Sequence, residues 1–132
     1  MKFEHFAINV PDTRATVRWY QENLGLRIAR TRAEDPYTTF LADDTGRIMI
    51  ELYSNTKATY PDWPTAHPLN FHVAFVSEDP IADAKRLVAA GGKAFSEETM
   101  PDGSVLTMVR DPWGVSLQFV KRGTPFPAIA AL

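Results

Sequence analysis

The sequence predicts an α+β protein built from two βαβββ modules. Three observations carry that expectation. The pattern strand, helix, strand, strand, strand occurs twice along the chain. A shift of 67 residues superposes the two occurrences without a gap, pairing His5 with His72, Ala7 with Ala74, Asp12 with Asp79, Gly25 with Gly92, Asp35 with Asp102 and Asp44 with Asp111. These identities fall at strand starts, caps and turns, where backbone geometry restricts residue choice. Finally, a segment with Pro61, Pro64 and Pro68 around Trp63 separates the halves and suits neither helix nor strand. At 132 residues the chain has the length of one domain, 1–132. Its first module spans about 1–54, its connector 55–68, its second module about 69–121 and its C-terminal tail 122–132.

In the first module Phe3 to Val10 reads as a strand. Pro11-Asp12-Thr13 breaks it and offers an N-cap for a helix whose Val17, Tyr20 and Leu24 share one face, with Gly25 as its stop. Strands follow at about 26–32, 37–42 and 47–54, separated by the turn residues Glu34-Asp35-Pro36 and Asp43-Asp44-Thr45-Gly46. The second module repeats this with a strand at about 69–76 and a helix opened by Asp79-Pro80, with Ile81, Ala84, Leu87 and Val88 facing inward. Gly91-Gly92 closes that helix, and strands are expected near 93–98, 104–110 and 115–121.

Composition removes several classes of function. The 14 Lys and Arg against 16 Asp and Glu leave a net charge of −2 with no long run of either sign, so no footprint for nucleic acid or an anionic membrane is present. With no cysteine, disulfides, thiol nucleophiles and thiolate metal sites are excluded. No apolar run approaches the ~18 residues of a membrane span, and the N-terminal residues lack a signal-peptide pattern, so a cytoplasmic protein that binds a small molecule is expected.

The chemistry concentrates on symmetry-related positions. His5 and His72 each lie near the start of a first strand. Glu51 lies in a fourth strand between Ile50 and Leu52, and Gln118 holds the equivalent place between Leu117 and Phe119. Alternation puts His5 on the face of Phe3 and Ala7, and Glu51 on the face of Met49 and Tyr53. A carboxylate on such a strand needs a partner, and no Lys or Arg lies within 49–53 to provide one. Two imidazoles and a carboxylate with open positions suit one divalent metal ion, Zn, Ni, Co, Mn or Fe(II), and Gln118 can add a neutral oxygen.

The segments Phe3-Glu4-His5-Phe6-Ala7-Ile8-Asn9-Val10 and Trp19-Tyr20-Gln21-Glu22-Asn23-Leu24-Gly25-Leu26 resemble the vicinal oxygen chelate superfamily, the group of glyoxalase I, bleomycin-resistance proteins and extradiol dioxygenases. So does the late turn Asp111-Pro112-Trp113-Gly114 leading into Val115-Ser116-Leu117-Gln118. The resemblance covers about 3–121. It implies paired modules forming a cupped, barrel-like mixed sheet, with a metal held at the positions of His5, Glu51, His72 and Gln118. It also implies one departure. Glyoxalase I members carry carboxylates on both fourth strands, one of them a proton-transfer base, whereas the second position here is Gln118, so that in an isomerase or lyase the base is either Glu51, the candidate catalytic residue, or a metal-bound hydroxide.

The function expected is a glyoxalase-like metal-dependent enzyme chelating a small vicinal-oxygen substrate, by isomerase, lyase or group-addition chemistry. The alternatives are an Fe(II)-dependent ring-cleaving dioxygenase and a metal-free drug-binding resistance protein. Tyr53, Trp63 and Trp113 are the candidate substrate contacts, lying beside the site strand or on loops. Trp19 and Tyr20 read as core, and His67 as an exposed connector residue. Arg14, Arg18, Arg30, Arg32, Arg47 and Arg110 read mostly as solvated; any one of them suits a substrate carboxylate or phosphate, and the sequence does not select which. A homodimer is expected, because a single module leaves open sheet edges and Phe126, Ile129 and Leu132 would expose apolar surface on a tail. The connector of fourteen residues spans up to about 40 Å when extended, enough to fold the second module beside the first or to deliver it to another subunit.

Overall fold

A computed structural model describes residues 1–131, with the side chains of Ile48 and Met49 outside the described set. The chain divides into two compact units that meet at Pro61 and Asp62. The first contains β1 (Phe6–Asn9), α1 (Thr13–Leu24), β2 (Arg27–Thr31), β3 (Thr39–Ala42) and β4 (Ile48–Tyr53). The second contains β5 (Val73–Val76), α2 (Pro80–Ala89), β6 (Lys93–Thr99), β7 (Val105–Arg110), β8 (Ser116–Lys121) and α3 (Pro127–Ala130). The expected α+β architecture of two βαβββ modules is therefore the observed one.

Each unit holds one four-stranded mixed sheet, ordered β1-β4-β3-β2 and β5-β8-β7-β6. The first and last strands of each module pair in parallel, and the remaining neighbours are antiparallel. A parallel pair cannot be closed by a hairpin, so the helix and two intervening strands act as the crossover.

The helix ends are as the sequence predicts. Asp12 Oδ1 accepts from the Ala15 amide at 3.0 Å, and Gly25 ends α1 in the left-handed region at φ 68°. Asp79 Oδ1 accepts from the Ala82 amide at 3.0 Å, with Pro80 at the first turn. α1 buries Thr13, Thr16, Val17, Trp19 and Tyr20. It is tied to the strand exit by Thr13, whose amide donates to Ser54 Oγ at 2.9 Å. One residue on, Asn9 and Asn55 exchange hydrogen bonds in both directions, which holds the end of β1 against the end of β4.

The differences from expectation have local causes. β1 and β5 are shorter than the predicted 3–10 and 69–76, and the backbone through His5 and His72 lies just before each strand. Val88, expected to face inward on α2, is 41% exposed, and Leu87 carries the apolar contact of that turn. The tail contains the one-turn helix α3, started by Pro127, with Phe126 and Ile129 exposed. Leu132 lies outside the described residues. Among the described residues no helix is long and apolar enough to cross a membrane.

The second unit shows why Arg110 is not a solvated face. Its guanidinium donates to the carbonyls of Trp63 and Ala66 at 2.8 Å each and to Gly114 O at 3.1 Å, so one side chain pins the late connector onto the 111–114 turn. Gly114, at φ 100°, accepts the close approach of Pro64, whose backbone a β-carbon would overlap. The fork of donors on arginine makes it suited to several carbonyls at once, which a lysine cannot match. Arg110→Ala is expected to destabilise the protein by about 2 kcal/mol, because several part-buried carbonyls lose their donor. Chemical denaturation is the check, and Arg110→Lys is expected to recover less than half of the loss.

Candidate functional site

In the first unit the parallel register Ala7↔Glu51 sets the geometry. His5, two residues before Ala7, lies on the same face as Glu51, and its Nε2 stands 3.3 Å from Glu51 Oε2. The two side chains are 27% and 20% exposed, so both are sheltered yet reachable. The other ring nitrogen, Nδ1, is 2.8 Å from Glu4 Oε2. Phe40 packs edge-on against the imidazole at 5.2 Å between centroids and fixes its plane.

The second unit repeats the arrangement. The register Ala74↔Gln118 puts His72, two residues before Ala74, at the place that corresponds to His5. His72 Nδ1 is 2.9 Å from the Pro68 carbonyl oxygen. A carbonyl only accepts, so Nδ1 carries the proton and Nε2 keeps its lone pair. His5 has a carboxylate oxygen against each ring nitrogen, Glu4 on Nδ1 and Glu51 on Nε2. Both histidines thus have Nδ1 anchored by an oxygen acceptor, which orients the ring in the way common to metal-binding histidines.

His5 Nε2 faces a carboxylate oxygen of Glu51 at 3.3 Å. Either a proton or a metal ion between the two atoms holds such a pair together. Ligand atoms about 2.1 Å from one ion lie about 3.0–3.4 Å apart in octahedral or tetrahedral coordination, so the observed spacing fits a shared divalent ion. Among the described residues no three His, Asp or Glu side chains gather into one group. The ligand-type residues are instead present as one pair on each unit.

The remaining predicted site residues are distributed over both units. Tyr53 lies two residues beyond Glu51 on β4, half-buried and on the same strand face. Trp63 sits in the connector with its ring 5.4 Å from Phe71, and Trp113 sits in the 111–114 turn, its amide donating to Asp111 Oδ1 at 2.9 Å. Trp19 and Tyr20 are core, as expected. His67 is exposed and packs edge-on against Phe95.

Sequence reasoning missed Glu4 and Phe40, which orient His5. It also missed a polar groove of about 610 Å³ bordered by Arg30, Arg32, Thr38, Phe40 and Glu51. The signal for Glu4 was its position next to a ligand-type histidine. Phe40 enters only through the register of β3 on β4.

Three comparisons with known proteins bear on this geometry. The family model described as the Glyoxalase/Bleomycin resistance protein/Dioxygenase superfamily matches residues 2–119. A lactoylglutathione lyase from Haemophilus influenzae is 28% identical over 128 residues, which cover 92% of this chain and 93% of that protein. Among solved structures, a glyoxalase I mutant from Zea mays is similar at a TM-score of 0.70 and 24% identity, over 92% of this chain and 45% of its own. TnmS3, an antibiotic binding protein from Streptomyces sp. CB03234, is similar at a TM-score of 0.70 and 17% identity, over 92% of this chain and 96% of its own. The likenesses to these two structures establish the fold. For the site itself the expected outcome concerns the tautomer. Long-range proton–nitrogen NMR in mildly alkaline solution is expected to find His72 with Nδ1 protonated and Nε2 bare, and the reverse assignment would remove its ligand capacity in this geometry.

Proposed function

The chain belongs to the Glyoxalase/Bleomycin resistance protein/Dioxygenase superfamily, and on that premise we propose that it is a metal-dependent enzyme of the glyoxalase type. Its substrate is a small molecule with vicinal oxygens, and its chemistry is of the isomerase, lyase or group-addition kind. His5, Glu51, His72 and Gln118 form the ligand set for one divalent ion, Zn, Ni, Co, Mn or Fe(II). The observation that carries this reading is the 3.3 Å approach of His5 Nε2 to Glu51 Oε2, with Nδ1 already engaged by Glu4.

When bound, such an ion supplies a Lewis acid that stabilises negative charge developing on chelated oxygens. The residues of the chain supply the rest. Glu51 is the proton acceptor, since Gln118 at the equivalent place of the second module cannot take up a proton at neutral pH. Glu4 and Phe40 hold the His5 ring at its angle. Tyr53, Trp63 and Trp113 are the apolar contacts proposed for the substrate.

The proposed assembly is a homodimer. It is supported by the open edges that β1, β2, β5 and β6 leave on their four-stranded sheets, and by large exposed apolar residues such as Val76 at 61%. The maize glyoxalase I chain is also about twice as long as this one, enough to carry the equivalent of two copies.

Metal analysis of protein purified without chelator or affinity-tag metal is expected to find stoichiometric divalent ion. His5→Ala and His72→Ala are each expected to lower metal affinity by about a hundredfold or more. Full occupancy in both variants would reject the ligand assignment, and metal-free wild-type protein would favour a binding role instead. For assembly, light scattering at micromolar concentration is expected to give twice the mass of the 14.8 kDa chain. A monomeric mass with metal still bound would show that one chain completes its own site.

A further inference from the structure

β2 is the edge strand of the first sheet, and a break in its register decides what faces Glu51. Ile28 pairs with Leu41, but Arg30 rather than Ala29 pairs with Phe40, which is itself opposite Glu51 on β4. A regular ladder would set Ala29 and Thr31 on the Glu51 face. The extra residue turns Arg30 and Arg32 onto it instead, and bulges of this kind commonly re-aim side chains beside functional sites. Arg32 is held in place by its amide, which donates to Thr38 O at 2.9 Å. Both arginines are exposed and border the polar groove that ends at Glu51.

Two other arginines of this unit have partners, while Arg18 and Arg47 lie outside the groove. Arg14 stacks over the Tyr37 ring at 4.5 Å, and Arg27 donates to the carbonyls of Asp43 and Asp44. Among the described residues the guanidinium groups of Arg30 and Arg32 have neither hydrogen bond, ion pair nor ring contact. They stand two residues apart on one strand face, about 7 Å between α-carbons, so their like charges are neighbours and neither makes an ion pair among the described residues.

The duplication provides an internal control. In the second sheet Ser96 pairs with Met108, which pairs with Gln118, and Glu98 pairs with Leu106. Ser96 and Glu98 therefore occupy the places of Arg30 and Arg32. The fold does not need cations there, and the mirrored position even carries the opposite charge.

We propose that Arg30 and Arg32 form an oxyanion clamp that holds a carboxylate or phosphate of the substrate and directs its other end toward His5 and Glu51. Two guanidinium forks offer paired N–H donors that match either group. The orientation toward Glu51 rests on the reading of that residue as the reaction centre; the anion site itself does not.

The test titrates the full-length protein with succinate and, separately, with inorganic phosphate while the side-chain Nε–H resonances of Arg30 and Arg32 are followed by NMR. Sodium chloride at matched ionic strength is the control for screening. Metal-loaded and chelator-treated protein are both titrated, because phosphate can also bind a metal directly. Saturable shifts of both resonances in both preparations are expected, and whichever anion binds more tightly identifies the carboxylate or phosphate source. Arg30→Gln and Arg32→Gln are each expected to weaken binding about tenfold, and the double variant to abolish it. Arg47→Gln, in the β3–β4 turn outside the groove, is expected to bind as wild type. Absence of saturable shifts, or undiminished affinity in the double variant, would overturn the clamp. Metal affinity is measured alongside: a double variant that keeps its metal but loses the anion supports the clamp as a site separate from the metal ligands, a wild type that takes metal but no anion means that the clamp fails alone, and a wild type that takes anion but no metal means that the metal reading fails alone.

Discussion

Each module depends on the parallel pairing of its first strand with its fourth. That pairing forces a helix and two strands into the crossover, and it fixes which residues of the outer strand stand beside the inner one. The registers Ala7↔Glu51 and Ala74↔Gln118 are the same contact made twice. Because side chains alternate with period two, a histidine two residues upstream of each alanine is carried onto the face of Glu51 in one module and of Gln118 in the other. A slip of one residue in either pair would send the histidine to the opposite face. The Asn9–Asn55 and Thr13–Ser54 bonds guard against that slip in the first module.

The duplication preserves backbone and varies chemistry. Both histidines anchor Nδ1, but one uses a neighbouring carboxylate and the other a main-chain carbonyl. A carboxylate anchor makes the far ring nitrogen more electron-rich than a carbonyl does, so the two imidazoles are not electronically equivalent. Glu51 corresponds to Gln118 in the repeat, and Arg30 and Arg32 correspond to Ser96 and Glu98. Charge and proton capacity are gathered on the first module, and the second supplies neutral or opposite counterparts. The two modules thus differ in side-chain chemistry while keeping the same strand order.

The second module spends its arginine differently. Arg110 ties the connector to the 111–114 turn through carbonyls of Trp63 and Ala66. The connector has few backbone partners of its own, so its path is set by that side chain and by the space that Gly114 leaves for Pro64. Trp63 is positioned by the same clamp, since its carbonyl is one of the acceptors.

The element order, the two helix caps, the connector and the repeat were all legible in the chain, because each is written in local chemistry: Asp12 and Asp79 before helices, Gly25 after one, prolines between the halves. The shared offset of 67 that links His5 to His72 and Glu51 to Gln118 was legible too, and the strand registers put both pairs at equivalent places. Strand ends were less so, since β1 and β5 stop where pairing stops and not where apolar character does. What tertiary structure alone decided are matters of register and of partners distant in sequence. The Nδ1 bond from His72 to Pro68 sets a tautomer, Phe40 reaches His5 only across two strand pairings, and Arg110 finds carbonyls more than forty residues away. Six arginines looked alike along the chain. One extra residue in β2, invisible without the pairing of β3, determines that Arg30 and Arg32 are the two that face Glu51.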